Sequence, residues 1–155
     1  MTRNLIDRFL ACRRIAVVGV SRTQNDFSRM LFRELMKRGY EALPVNPGMT
    51  SVEGRQCFSS VQEIQPRPEA VLLMTPPKFT DAVVEDCAKA GVGLVWLYRA
   101  VGSGAVTESA VEFCRSHNID CIAGYCPYMF LPGSGIPHSL HGVWAKLTGT
   151  WPKYA

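Results

Sequence analysis

The sequence predicts an α/β protein built on one parallel, doubly wound sheet of five strands, and three observations carry the prediction. Short apolar runs recur at residues 15–18, 40–45, 69–74, 93–98 and 119–123, the pattern of strands buried on both faces. Stretches with helical periodicity alternate with most of them. The loops between are short, so each strand–helix–strand unit closes as a right-handed crossover into a parallel sheet. At 155 residues, 47% apolar and 19% charged, the chain suits a single globular domain with a substantial core. Residues from about 131 to 155 read as a carboxy-terminal extension of that domain. No repeat, low-complexity tract or second domain is visible.

The elements follow in order. Leu5, Ile6, Phe9 and Leu10 fall at helical spacing, which predicts a short helix over residues 5–12 beside the sheet. After the first strand, Phe27, Leu31 and Leu35 make one apolar face of a helix over residues 26–38, and Gly39 stands where helices commonly stop. The second strand ends in the turn Asn46-Pro47-Gly48. Residues 54–64 read as a connecting segment with one helical turn, ended by Pro66 and Pro68. The third strand runs into Thr75-Pro76-Pro77, too stiff and too poor in donors for regular structure, and then into a helix over residues 78–90 closed by Gly91. The fourth strand ends in Arg99 and the turn Gly102-Ser103-Gly104, and a helix over residues 106–117 buries Val106, Ala110, Val111, Phe113 and Cys114. The fifth strand leads to Gly124-Tyr125-Cys126-Pro127. In the extension, Leu140, Val143, Trp144 and Leu147 form an amphipathic stripe that suits packing on the domain itself or on a second copy, the basis for expecting a homodimer.

Ligand-like residues gather after three of the strands. The stretch from Ile15 to Ser28 reads as strand, tight turn and helix start, the geometry of an anion cradle. The first amides of a helix lack partners within it, and the macrodipole turns its positive end outward. Gly19 and Val20 bring the backbone close, Ser21 and Thr23 offer hydroxyls, Gln24 an amide, Arg22 a bidentate cation, and Ser28 a hydroxyl at the helix start. Asn46-Pro47 and Thr75-Pro76-Pro77 also follow strands, so all three turns lie at the carboxyl edge, where open α/β sheets bind ligands. The dinucleotide fingerprint G-x-G-x-x-G has Ser21 and Gln24 at its second and third glycine places, and the ribose-binding acid after strand two is replaced by Asn46, with Glu53 only beyond the turn. NAD(H) binding, as in a redox sensor or dehydrogenase-like domain, is thereby the second choice of ligand.

Other chemistry finds little support. The formal charge of +4 is spread without a basic stripe, which fits an anionic small ligand and gives no sign of nucleic-acid binding. The six cysteines include no C-x-x-C pair. With no signal peptide or long apolar run, reduced thiols and a cytoplasmic location away from membranes are expected. Cys126 is the best nucleophile candidate, but a free cysteine more commonly serves as a small buried hydrophobe. His138 and His141, one helical turn apart, lack a nearby third ligand, so no metal site is assigned. Asp26 suits a helix cap better than a catalytic base.

The motifs V-V-G-V-S-R at Val17 to Arg22, P-V-N-P-G at Pro44 to Gly48, M-T-P-P at Met74 to Pro77 and G-Y-C-P at Gly124 to Pro127 carry a resemblance. In their order and separations, from about Arg13 to Pro132, the chain resembles the small stand-alone CoA-binding domain proteins of bacteria. More distantly it is similar to the amino-terminal CoA-binding domain of the succinyl-CoA synthetase alpha subunit. The resemblance implies a Rossmann-like domain that binds coenzyme A or an acyl-CoA. By position, Ser21, Arg22, Thr23 and Gln24 would sit at the phosphates, Asn46 and Pro47 would line the site, and Thr75, Pro76 and Pro77 would contact the cofactor from strand three. Leu97, Tyr98 and Arg99 would do so from strand four. The synthetase has a lysine after its Pro-Gly turn; Met49 stands there in this chain, leaving Arg22 or Arg29 to supply the cation. The phosphohistidine domain of the synthetase is not matched, so no reaction is expected of this domain alone, and none of His117, His138 and His141 inherits that role.

Overall fold

The structure is a computed structural model that describes residues 2–99, 102 and 104–133. Five parallel strands form the central sheet: β1 (Arg14–Val18), β2 (Glu41–Val45), β5 (Ala70–Leu73), β6 (Leu94–Leu97) and β7 (Asp120–Ala123), in the spatial order β2-β1-β5-β6-β7. Among the described residues, four helices flank it: α1 (Thr2–Ala11), α2 (Phe27–Lys37), α3 (Pro77–Lys89) and α4 (Glu108–Ser116). The chain is thus an α/β domain of Rossmann-like architecture, as the alternation of apolar runs and helical stretches predicts.

Alternation along the strands divides the core. Ile15 and Val17 of β1 join Leu72 of β5 and Trp96 of β6 on the side covered by α1 and α2, against Ile6, Phe9, Leu31 and Leu35. Ala16 and Val18 face the other way with Val71, Leu73, Val95 and Leu97, under Val84 and Cys87 of α3 and Ala110 and Cys114 of α4. Both faces are covered, which is why the strands read as unbroken apolar runs. Trp96 is fully buried, meets Phe9 edge-to-face at 5.1 Å, and donates its indole N–H to the Gly124 carbonyl at 2.9 Å.

One segment departs from expectation. Between β2 and β5 the chain forms a two-stranded antiparallel hairpin, β3 (Ser51–Val52) with β4 (Arg55–Gln56), before the expected helical turn at Val61–Glu63. Glu53 and Gly54 make its turn at φ 49° and 73°. Strands of two residues leave no periodicity to read, and a Glu–Gly turn is not among the strong hairpin signals. The Gly102-Ser103-Gly104 turn falls partly, and the tail stripe, His138 and His141 fall wholly, outside the described residues.

Candidate functional site

The strand order places a topological switch point between β1 and β5: the chain moves outward from β1 to β2 in one direction and from β5 through β6 to β7 in the other. At such a point the loops after the two central strands diverge and leave a crevice at their carboxyl ends. The loop after β1 contains Gly19 to Asp26, and the loop after β5 contains Met74 to Pro76.

Gly19 fits this place for two reasons. Its φ is 92°, and a Cβ there would lie 2.9 Å from the Met74 carbonyl carbon and 3.0 Å from the Thr75 nitrogen. The neighbouring ladder is tight: the Gly19 amide donates to the Val45 carbonyl at 3.0 Å and the Met74 amide to the Val18 carbonyl at 2.8 Å. Val20 is buried behind the loop.

Beyond Gly19 the loop is organised from the helix side. Asp26 caps α2, accepting from the Ser28 amide at 2.8 Å and from the Ser28 hydroxyl. The Ser28 Oγ accepts from the Ser21 amide at 2.9 Å, and the Ser21 Oγ accepts from the Thr23 amide at 3.0 Å. Ser21 and Ser28 therefore shape the loop. The amides of Arg22, Gln24 and Asn25 have no protein acceptor among the described residues, and they stand just ahead of the 11-residue α2. This leaves a group of open donors where the helix dipole favours an anion.

The cations divide sharply. Arg22 is exposed and reaches across to the β2 turn, donating to the Gly48 carbonyl at 2.6 Å. Gly48 admits that reach, since a Cβ there would lie 2.3 Å from the Arg22 Nη2. Arg29 is only 5% exposed and its guanidinium is spent: Nε and Nη2 bind Glu53 at 2.8 and 2.6 Å, and Nη1 donates to the Ser21 carbonyl at 3.1 Å. Of the two cations left open by the sequence, the one facing solvent is Arg22. Arg33 adds a second contact to Glu53 at 3.0 Å and donates to the Gln24 carbonyl and to its side-chain oxygen. The guanidinium hydrogen bonds from Arg29 and then Arg33 hold the Glu53 carboxyl below its ordinary range.

The other expected residues surround the same edge. Asn46 donates to the Val20 carbonyl at 2.9 Å and accepts from the Gly48 amide at 2.9 Å, tying the β2 turn to the β1 loop; Pro47 is exposed beside it. Thr75 is buried, yet its hydroxyl has no hydrogen-bond partner among the described residues. Pro76 holds the cap position of α3 without a side-chain cap, and Pro77 starts the helix. Tyr98 stacks on Phe27 at 5.6 Å between ring centres, and burial above all, then the nearby Cys126 thiol and Asp26 carboxylate, pushes its phenol up to about 12. The Arg99 amide donates to the Tyr125 carbonyl at 3.3 Å, and its guanidinium packs beside Gly124, 3.7 Å from where a Cβ would stand.

Sequence reasoning missed Glu53 as the anchor of two arginines and Gly48 as the space Arg22 occupies. The pairings join residues 20 or more positions apart, those of Glu53 through a hairpin with no periodic signal and that of Gly48 through the turn after β2. The candidate nucleophile Cys126 is buried, and burial pushes its thiol up to about 11, so at neutral pH it is a protonated thiol. Among the described residues no group of three or more His, Cys, Asp or Glu could hold a metal ion, and no helix is long and apolar enough to cross a membrane.

Residues 13–132 match the CoA binding domain family. The chain belongs to that family. Its CoA-binding-domain relatives include the alpha subunit of the ADP-forming acetate–CoA ligase II of Pyrococcus furiosus, 29% identical over 130 residues, which are 79% of this chain and 28% of that subunit. The chain therefore spans well under a third of the ligase subunit it matches. The uncharacterized protein YneT of Bacillus subtilis is 27% identical over 114 residues, 74% of this chain and 82% of YneT. Among solved structures, a hypothetical protein from Pyrococcus horikoshii OT3 superposes with a TM-score of 0.74 at 27% identity, covering 82% of this chain and 87% of that one.

Proposed function

We propose that the protein binds coenzyme A or an acyl-CoA at the switch-point crevice, with its diphosphate at the start of α2 and with no chemistry of its own evident there. One observation carries the reading: in a chain of the CoA-binding domain family, open amides of the β1 loop stand just ahead of α2, and the exposed Arg22 of the same loop reaches to Gly48 after β2. The amides of Arg22, Gln24 and Asn25 would hold phosphate oxygens, and Arg22, anchored on Gly48, would add charge through its remaining N–H groups. Thr23 and the side chain of Gln24 would border the same anion. The unpartnered Thr75 hydroxyl fits a polar group of the ligand, since a buried hydroxyl left without a partner costs about 1–3 kcal/mol. Asn46, Pro47, Pro76 and Pro77 would wall the crevice, and Tyr98 and Arg99 would meet the cofactor beyond β5. Coenzyme A carries the phosphates and the adenine; the pantetheine thiol is where an acyl group would sit.

NAD(H) fits these residues less well. The acid nearest the end of β2, Glu53, is committed to Arg29 and Arg33, and Asn46 is committed to Val20 and Gly48, so among the described residues the end of β2 offers no free carboxylate to a ribose. The raised Cys126 thiol is a poor nucleophile at neutral pH, which favours binding over catalysis at that residue.

The test is a thermal-shift series on unfolded and refolded protein with CoA, acetyl-CoA, NAD⁺, NADH and ATP. At a hundred times its dissociation constant a ligand stabilises by about 2.7 kcal/mol, several degrees in midpoint. The expected result is a shift with CoA or its thioester alone. A shift with NADH and none with CoA would overturn the proposal.

A further inference from the structure

The G-Y-C-P motif at residues 124–127 has no part in the phosphate cradle, and it follows β7 directly at the carboxyl edge. Gly124 and Tyr125 take φ of 87° and 63°. For Tyr125 that conformation is strained, and strain of this kind gathers where a backbone is held for binding. The Gly124 amide donates to the Leu97 carbonyl at 3.0 Å, but the amides of Tyr125 and of the buried Cys126 have no acceptor among the described residues. Consecutive open amides on a turn make a concavity for an anion. Arg99 stands beside them. Its backbone is fixed: its amide donates to the Tyr125 carbonyl, and a Cβ on Gly104 would lie 2.8 Å from its Cα. Its guanidinium, beside Gly124, is exposed and bonded to no described residue. All 13 Asp and Glu side chains of the chain are among the described residues, and none pairs with it.

We propose that Arg99 and the amides of Tyr125 and Cys126 bind a carboxylate at the far end of an acyl group, so that the ligand is the CoA thioester of a short dicarboxylic acid. The proposal rests on the CoA reading above and names the acyl class. With the diphosphate at the start of α2, beyond β1, the ends of β6 and β7 are two and three strand spacings of about 4.8 Å away. The pantetheine arm spans that distance along the carboxyl edge, past Thr75, Pro76 and Pro77 after β5. Between the diphosphate and the sulfur the arm carries no charge. The third phosphate of coenzyme A is on the ribose, on the other side of the diphosphate. An anion site at the ends of β6 and β7 therefore serves the acyl group. A guanidinium donates two parallel hydrogen bonds to a carboxylate, and the two open amides can donate to its remaining lone pairs. An acetyl group offers these donors no charge.

The test is titration calorimetry on the refolded 155-residue protein, with acetyl-CoA and butyryl-CoA against malonyl-CoA and glutaryl-CoA. Hydrogen bonds to a charged group predict that at least one dicarboxylic thioester binds about tenfold tighter, or more, than either neutral one. Arg99→Gln, checked for folding by circular dichroism, should bring that ratio to about one, whatever it costs all four ligands in common, and Arg99→Lys should keep part of it as a point charge. Equal affinities of charged and neutral thioesters in the wild type, or the same preference in wild type and Arg99→Gln, would overturn the assignment and leave the CoA reading standing. Binding of none of the four would remove both.

Discussion

Removing the Glu53 carboxylate should destabilise the protein by about 3 kcal/mol, and the reasoning is specific enough to fail. Arg29 is 5% exposed and depends on Glu53 for two of its three contacts. In Glu53→Ala the guanidinium keeps only the Ser21 carbonyl. Deleting one partner of a buried ion pair typically costs about 3–5 kcal/mol because the other charge is left buried. The Glu53 side chain is 21% exposed, so water can reach the vacated space, which places the effect at the low end. Equilibrium urea unfolding measures it, through a lower midpoint at unchanged slope. The double variant Glu53→Ala/Arg29→Met should recover most of the loss, since replacing a buried pair by apolar groups is often close to neutral. Acidity adds a second reading. The Glu53 carboxyl is held below its unfolded value, so its contribution is complete at neutral pH and is lost as pH falls through the lowered folded pKa. The gap between wild type and Glu53→Gln should therefore shrink below the ordinary carboxylate range. A Glu53→Ala cost under about 1 kcal/mol, or a double variant as unstable as the single, would refute the account of a buried cation that needs this acid.

Other variants separate binding from folding. Arg22→Ala should leave the unliganded midpoint within about 0.5 kcal/mol of wild type, because the side chain is exposed, while abolishing the CoA-induced thermal shift. Thr75→Val should raise stability by about 1 kcal/mol, as an unpartnered buried hydroxyl is removed at nearly constant shape, and should weaken CoA severalfold in calorimetry. Gly19→Ala should cost on the order of 3 kcal/mol in urea unfolding, from a positive φ and a Cβ pressed against the Met74 carbonyl.

The sequence by itself determined the local and periodic features. Apolar runs buried on both faces specified the strands, Asp26 announced the cap of α2, and Gly39 and Gly91 its stops and those of α3, because each signal acts within a few residues of itself. It also determined which turns end at the carboxyl edge, since in a parallel sheet every strand-to-helix turn lies at that edge. Tertiary structure alone decided which cation is free. Arg22 and Arg29 are chemically equivalent in the sequence, and only the Glu53 hairpin, delivered from beyond β2, locks one and leaves the other in solvent. It decided likewise that Thr75 is buried without a hydrogen-bond partner among the described residues. Pairings of this kind depend on chain reversals that bring distant positions together, and no periodicity along the chain records them.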